Sequence, residues 1–99
     1  MIVPDSLVIL KLHSPSERFV GRLIEISDPG ITVRGVDLES FDDWINGVAS
    51  DENSRVYPST VFFPLHRVEK MLLDEDAGEV HSLGATFRDR IGQSIENYL

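Results

Sequence analysis

The sequence predicts a mainly β protein: a five-stranded, bent antiparallel small barrel with a short helix inserted between strands 3 and 4 and a C-terminal helix. Three observations predict it. Arg18 to Val36 holds two apolar runs hinged on Asp28-Pro29-Gly30, a long bent strand, a tight turn and a returning strand. Apolar residues alternate with period two elsewhere, which marks strands, and they recur every three to four residues in two inserts, which marks helices. The chain of 99 residues forms one domain, of a size that buries roughly 60–65% of its unfolded surface.

The elements follow in order. Leu7 to Leu12 is the first strand, with Val8, Leu10 and Leu12 on one face and Leu7, Ile9 and Lys11 on the other. Both faces are largely apolar, so neither is simply open to water. His13 to Glu17 supplies turn residues. In the second strand Phe19, Gly21 and Leu23 share a face, yet the apolar positions continue at Ile24 and Ile26. A phase switch of that kind implies a bulge or sharp bend, and Gly21 is where a neighbour could press close. Asp28-Pro29-Gly30 is a turn, and Ile31 and Val33 then line one face of strand three while Thr32 and Arg34 point away.

From Asp37 the period changes. Leu38, Phe41, Ile45 and Val48 predict an amphipathic helix over about 38–48, with Asp37 or Ser40 as its cap and Gly47 as its stop. Ser50 to Arg55 reads as a mobile polar connector. Thr60 to Phe63 is the dependable part of strand four, Pro64 to Arg67 a tight corner, and Val68 to Leu73 strand five. Asp74 to Glu79 reads as a solvated acidic loop, its spacing unlike that of a calcium loop. Leu83, Phe87, Ile91, Ile95 and Tyr98 form a stripe that predicts a terminal helix over about 83–98, capped by Ser82 or by Thr86 with Asp89 and held through Gly92 by tertiary contact. The expected core contains Val8, Leu10, Leu23, Ile26, Ile31, Val33 and Val68.

Composition narrows the function classes. With no cysteine, a disulfide framework, a thiolate nucleophile and a Cys-based zinc site are excluded. His13, His66 and His81 lie in separate segments without metal-ligand spacing, and no nucleophile elbow or paired-carboxylate arrangement is evident, so the reading is non-enzymatic, without metal or cofactor. A formal charge of −8 gives no steering toward phosphate backbones or anionic membranes, which argues against strong nonspecific nucleic-acid binding. Met1 to Asp5 lacks the basic region of a signal peptide, and no apolar run approaches a membrane span, so the expected location is cytoplasmic.

Gly21, Leu23, Ile26 and Asp28 resemble the first motif of the Sm-like barrel, the family of the Sm, LSm and Hfq proteins. Phe63 to Met71 resembles the second, with Val68 and Met71 at its closing apolar positions and His66 where Hfq proteins carry a turn histidine. The likeness covers about two thirds of the chain; Pro64-Leu65 stands where Sm proteins have arginine-glycine. It implies a homo-oligomeric binding scaffold, assembled through the last strands, with single-stranded RNA or a nucleotide as ligand. His66 and Arg67 at the corner are the ligand candidates, with Arg34 a third; in the bland alternative His66 caps the corner and Arg67 pairs with an acidic neighbour. The alternative function is a protein–protein interaction module using the acidic surface and the insertion helix, where Trp44 is the partner-contact candidate.

Overall fold

A computed structural model describes residues 1–50 and 56–99; the connector expected from Ser50 to Arg55 lies, apart from Ser50, outside them. Five strands, β1 (Leu7–Leu12), β2 (Glu17–Ile26), β3 (Gly30–Asp37), β4 (Ser59–Pro64) and β5 (Val68–Leu73), form one sheet in the order β4-β3-β2-β1-β5. Every pairing is antiparallel. Two helices, α1 (Phe41–Ser50) and α2 (Leu83–Ile91), are accompanied by 3-10 turns at Leu38–Ser40, Leu65–Arg67 and Ile95–Tyr98.

The period-two pattern of β1 serves two cores. Val8, Leu10 and Leu12 face an inner cluster with Phe19, Leu23, Ile31, Val33 and Phe63, edged by Val61, Val68 and Met71. Leu7 and Ile9 face an outer cluster in which Val20 and Val36 of the sheet meet Phe41, Trp44 and Ile45 of α1 and Phe87 and Ile95 from the C-terminal region. The helices therefore cover the reverse of the sheet, which is why both faces of β1 are apolar.

β2 is bent where the sequence changes phase. Its register with β3 shifts between Leu23 and Glu25, leaving Ile24 as the extra residue of a bulge. Just before it, Gly21 and Gly35 sit directly opposite each other, and neither has room for a side chain: a Cβ on Gly21 would strike the Arg34 carbonyl, and one on Gly35 the Val20 carbonyl. The bend has a large consequence. Leu65 N–H donates to the Pro29 carbonyl beyond the C-terminal end of β2, while His13 N–H donates to the Arg67 carbonyl near its N-terminal end, both at 2.9 Å. Drawn straight, a ten-residue strand keeps its ends about 30 Å apart, yet Pro64 and Val68 span at most roughly 14 Å. The sheet is curled back until its two edge strands meet at a three-residue corner.

Several expectations are corrected. Ile26 is 53% exposed rather than core, because it is the last residue of β2 and lies at the rim beside the β2–β3 turn, although the bulge sets it opposite buried Ile31, and Val68 is only half-buried. Gly47 does not stop the first helix, which begins as a 3-10 turn at Leu38 and runs to Ser50. The terminal helix does not run to 98: Gly92 adopts φ 82°, and its N–H donates to the Arg88 carbonyl, ending α2 with a left-handed cap. Ser94 then starts the separate 3-10 turn.

Candidate functional site

The corner at Leu65–Arg67 joins the two edge strands, and one side chain does much of the joining. Arg67 donates from Nε to the His13 carbonyl at 3.3 Å and from Nη2 to the Pro15 carbonyl at 2.9 Å. The same Nη2 meets Glu17 Oε1 at 2.9 Å, a half-buried, charge-assisted contact. The guanidinium thus fastens the β1–β2 turn, which contains a cis Ser14–Pro15 peptide, to the corner. Of the two readings of Arg67, the structure shows pairing with an acidic neighbour.

His66 is placed differently. It is exposed, and it makes no hydrogen bond or ion pair among the described residues, so it does not cap the corner; the backbone bonds to Pro29 and His13 do that. Its imidazole is free to meet a ligand. His13, also exposed, lies on the adjoining turn with Nδ1 3.3 Å from Ser14 Oγ. Its nearness to the corner was hidden in the sequence, since it depends on β1 and β5 pairing across 50-odd positions of chain.

Arg34 is not part of this corner. It lies on the helix-covered side of β3, opposite Thr60, whose Oγ1 accepts from Nη1 at 3.3 Å. The corner is reached four residues further along β4, about 13 Å away. Across from Arg34 on β2 is Arg22, which donates to Asp5 Oδ1 at 3.1 Å and to the Leu99 carbonyl at 3.2 Å. Trp44 is 3% exposed, packed between Phe41 (centroids 6.0 Å) and Phe87 (5.1 Å), so it is a core residue rather than a surface aromatic offered to a partner.

The acidic loop does structural work that its composition did not reveal. Asp74 accepts from Leu83 N on one carboxylate oxygen (2.8 Å) and from Gly84 N on the other (2.9 Å), and Asp76 accepts from Ser82 N at 2.7 Å. Ser82 Oγ accepts from Ala85 N at 3.0 Å, as expected of the cap. The first-turn donors of α2 are therefore met by carboxylates at the end of β5, where the helix dipole favours negative charge. Among the described residues, no three His, Asp or Glu side chains gather to hold a metal ion.

Clefts elsewhere are open, with polar and apolar surface in comparable amounts. One of about 400 Å³ is lined by Leu7, Asp74, Gly84 and Arg88, and one of about 410 Å³ between α1 and α2 by Ile45, Asn46 and Arg90. No buried side-chain polar atom among the described residues lacks a partner, so neither cleft holds a buried unmet donor or acceptor. What stands unpaired among the described residues is backbone: there β4 pairs only with β3 and β5 only with β1, which leaves each with an open side.

Comparison of the chain with protein-family models, with curated proteins and with solved structures finds no match.

Proposed function

We propose that the chain is a subunit of a non-enzymatic, homo-oligomeric scaffold of the Sm-like kind, an open small barrel that assembles through β4 and β5. The observation that carries this is the curled sheet with its edge strands joined by a three-residue corner and, among the described residues, both outer sides unpaired. Because all pairings are antiparallel, β4 and β5 run in the same sense along the sheet. Parallel pairing between them needs a crossover of about a dozen residues or more, and the corner has three. The barrel therefore closes by packing, through Phe63, Val61, Val68 and Met71, and the edges remain available to another copy.

In such an assembly the corner is the ligand-facing end. Each subunit presents His66, held by the Arg67 clamp, and a ring of imidazoles suits stacking on the bases of single-stranded RNA or of a nucleotide. Arg67 contributes by placing the corner rather than as a free cation, and Arg34 belongs to the opposite end of the β3–β4 ladder. The test is retention of short single-stranded RNA at low salt by the assembled protein. The expected result is binding that weakens with salt and is lost in His66→Ala, with the assembly intact. No retention at low salt would leave the acidic, protein-binding reading in its place.

A further inference from the structure

We infer that the outer face of the sheet, away from the corner, binds a sugar monophosphate: a row of Arg22, Arg34 and Thr60 holds the phosphate, and the next row, Glu25, Thr32 and Phe62, receives the sugar. The site lies about 13 Å from the corner and does not depend on whether copies of the chain assemble.

The register builds both rows. Arg22 of β2 lies opposite Arg34 of β3, which lies opposite Thr60 of β4, and residues directly opposite share a face. Beyond the bulge, Glu25 lies opposite Thr32, and Thr32 opposite Phe62. The rows therefore run side by side across three neighbouring strands, about 7 Å apart. The helices stop short of this part of the face. Val20 and Val36 are buried in the outer cluster, whereas Phe62 belongs to neither cluster and is 47% exposed.

Charge marks the first row. Like charges directly opposite weaken a sheet, yet two arginines are set against each other here, in a chain of formal charge −8. Arg22 donates from Nη1 to Asp5 Oδ1 and from Nε to the Leu99 carbonyl, which orients its guanidinium and leaves Nη2 for another acceptor. Half-buried Arg34 has no carboxylate partner among the described residues; its one hydrogen bond there, from Nη1, goes to the neutral Thr60 Oγ1. Because that oxygen accepts from Arg34, the Thr60 hydroxyl turns its own proton elsewhere. Each of the three strands thus offers a donor to an anion on this face. A phosphate monoester, with three terminal oxygens and nearly two negative charges, matches that set better than a planar carboxylate with one.

The second row is of another kind. Glu25 is exposed and makes no ion pair among the described residues, Thr32 supplies a hydroxyl, and the Phe62 ring lies over Gly30. A carboxylate accepts from sugar hydroxyls, a threonine hydroxyl both donates and accepts, and an aromatic ring receives the C–H face of a sugar. The Glu25 charge also repels a second phosphate on this row, which favours a monophosphate over a nucleic-acid backbone. A sugar bonded to its phosphate spans the two neighbouring rows, whereas inorganic phosphate fills only the first.

The test is an NMR titration of the isotope-labelled full chain at low salt with glucose 6-phosphate and ribose 5-phosphate, and with inorganic phosphate and glucose as the separate halves. The expected result is saturable shifts of the Arg22, Glu25, Thr32, Arg34 and Phe62 amides with at least one sugar phosphate. That ligand is expected to bind roughly tenfold more tightly than inorganic phosphate, and glucose to give no shift. Arg34→Gln is expected to weaken the binding roughly tenfold or more. Thr60→Val, of the same shape, carries the test if Arg34→Gln does not fold, and Phe62→Leu is expected to remove the advantage over inorganic phosphate. Absence of saturable shifts with both sugar phosphates overturns the site, and equal binding of inorganic phosphate overturns the sugar row. Shifts confined to the corner, or shifts of this face by short single-stranded RNA with both sugar phosphates inert, overturn its assignment to a small molecule.

Discussion

Arg67 and His66 are adjacent in sequence and opposite in role. Removing the Arg67 side chain deletes its bonds to His13, Pro15 and Glu17 together, and Arg67→Ala is expected to lower stability by about 1–2 kcal/mol, read from urea denaturation. His66→Ala, at an exposed side chain without partners among the described residues, is expected to stay within about 0.5 kcal/mol of the parent. Equal losses from the two would contradict the division of labour. At Gly35 the constraint is steric: an added methyl meets the Val20 carbonyl, so Gly35→Ala is expected to cost about 3 kcal/mol, at the top of the range for overpacking, since backbone cannot step aside. The sequence singled out the corner residues by type and position, but the partner of Arg67 was illegible because Glu17 lies 50 residues earlier, at the start of β2, which only the sheet order brings near. Trp44 illustrates the converse, its helical spacing being legible and its depth beneath Phe87 not.

Among the elements, α2 is held at both ends by devices that predict measurable losses. Asp74→Ala leaves the Leu83 and Gly84 amides without their acceptors and is expected to cost about 1–2 kcal/mol, with faster amide hydrogen exchange across the first turn of α2. Unchanged exchange there would mean that water replaces the carboxylate at no loss. Strands were the most legible elements: β1 and β5 have the bounds that alternation gives them, and the phase switch in β2 is a real bulge. The terminal stripe was right about the face and wrong about continuity. Phe87 and Ile95 do reach the same cluster, yet the chain gets there through a left-handed Gly92 and a new 3-10 turn, because a residue spacing records which side is buried and not the path between. Ile26 failed for a different reason: the bulge does set it opposite buried Ile31, but it is the last residue of β2 and lies at the rim of the sheet.

For the whole molecule, the curl of the sheet is what turns a short chain into a unit with two open edges. Phe62→Asp and Leu72→Asp place a carboxylate on each edge without entering either buried cluster, and each is expected to leave the fold intact while breaking assembly. The strands and both helical inserts were legible because each follows a local period, whereas the meeting of β4 and β5 at the corner is a product of the bend and appears in no local pattern. The central claim is that these edges join copies of the chain. Multi-angle light scattering at micromolar concentration tests it most directly: the account predicts a closed oligomer of more than two subunits, at a whole-number multiple of 11.1 kDa, that falls to single chains in Phe62→Asp; a parent protein of 11.1 kDa would contradict it.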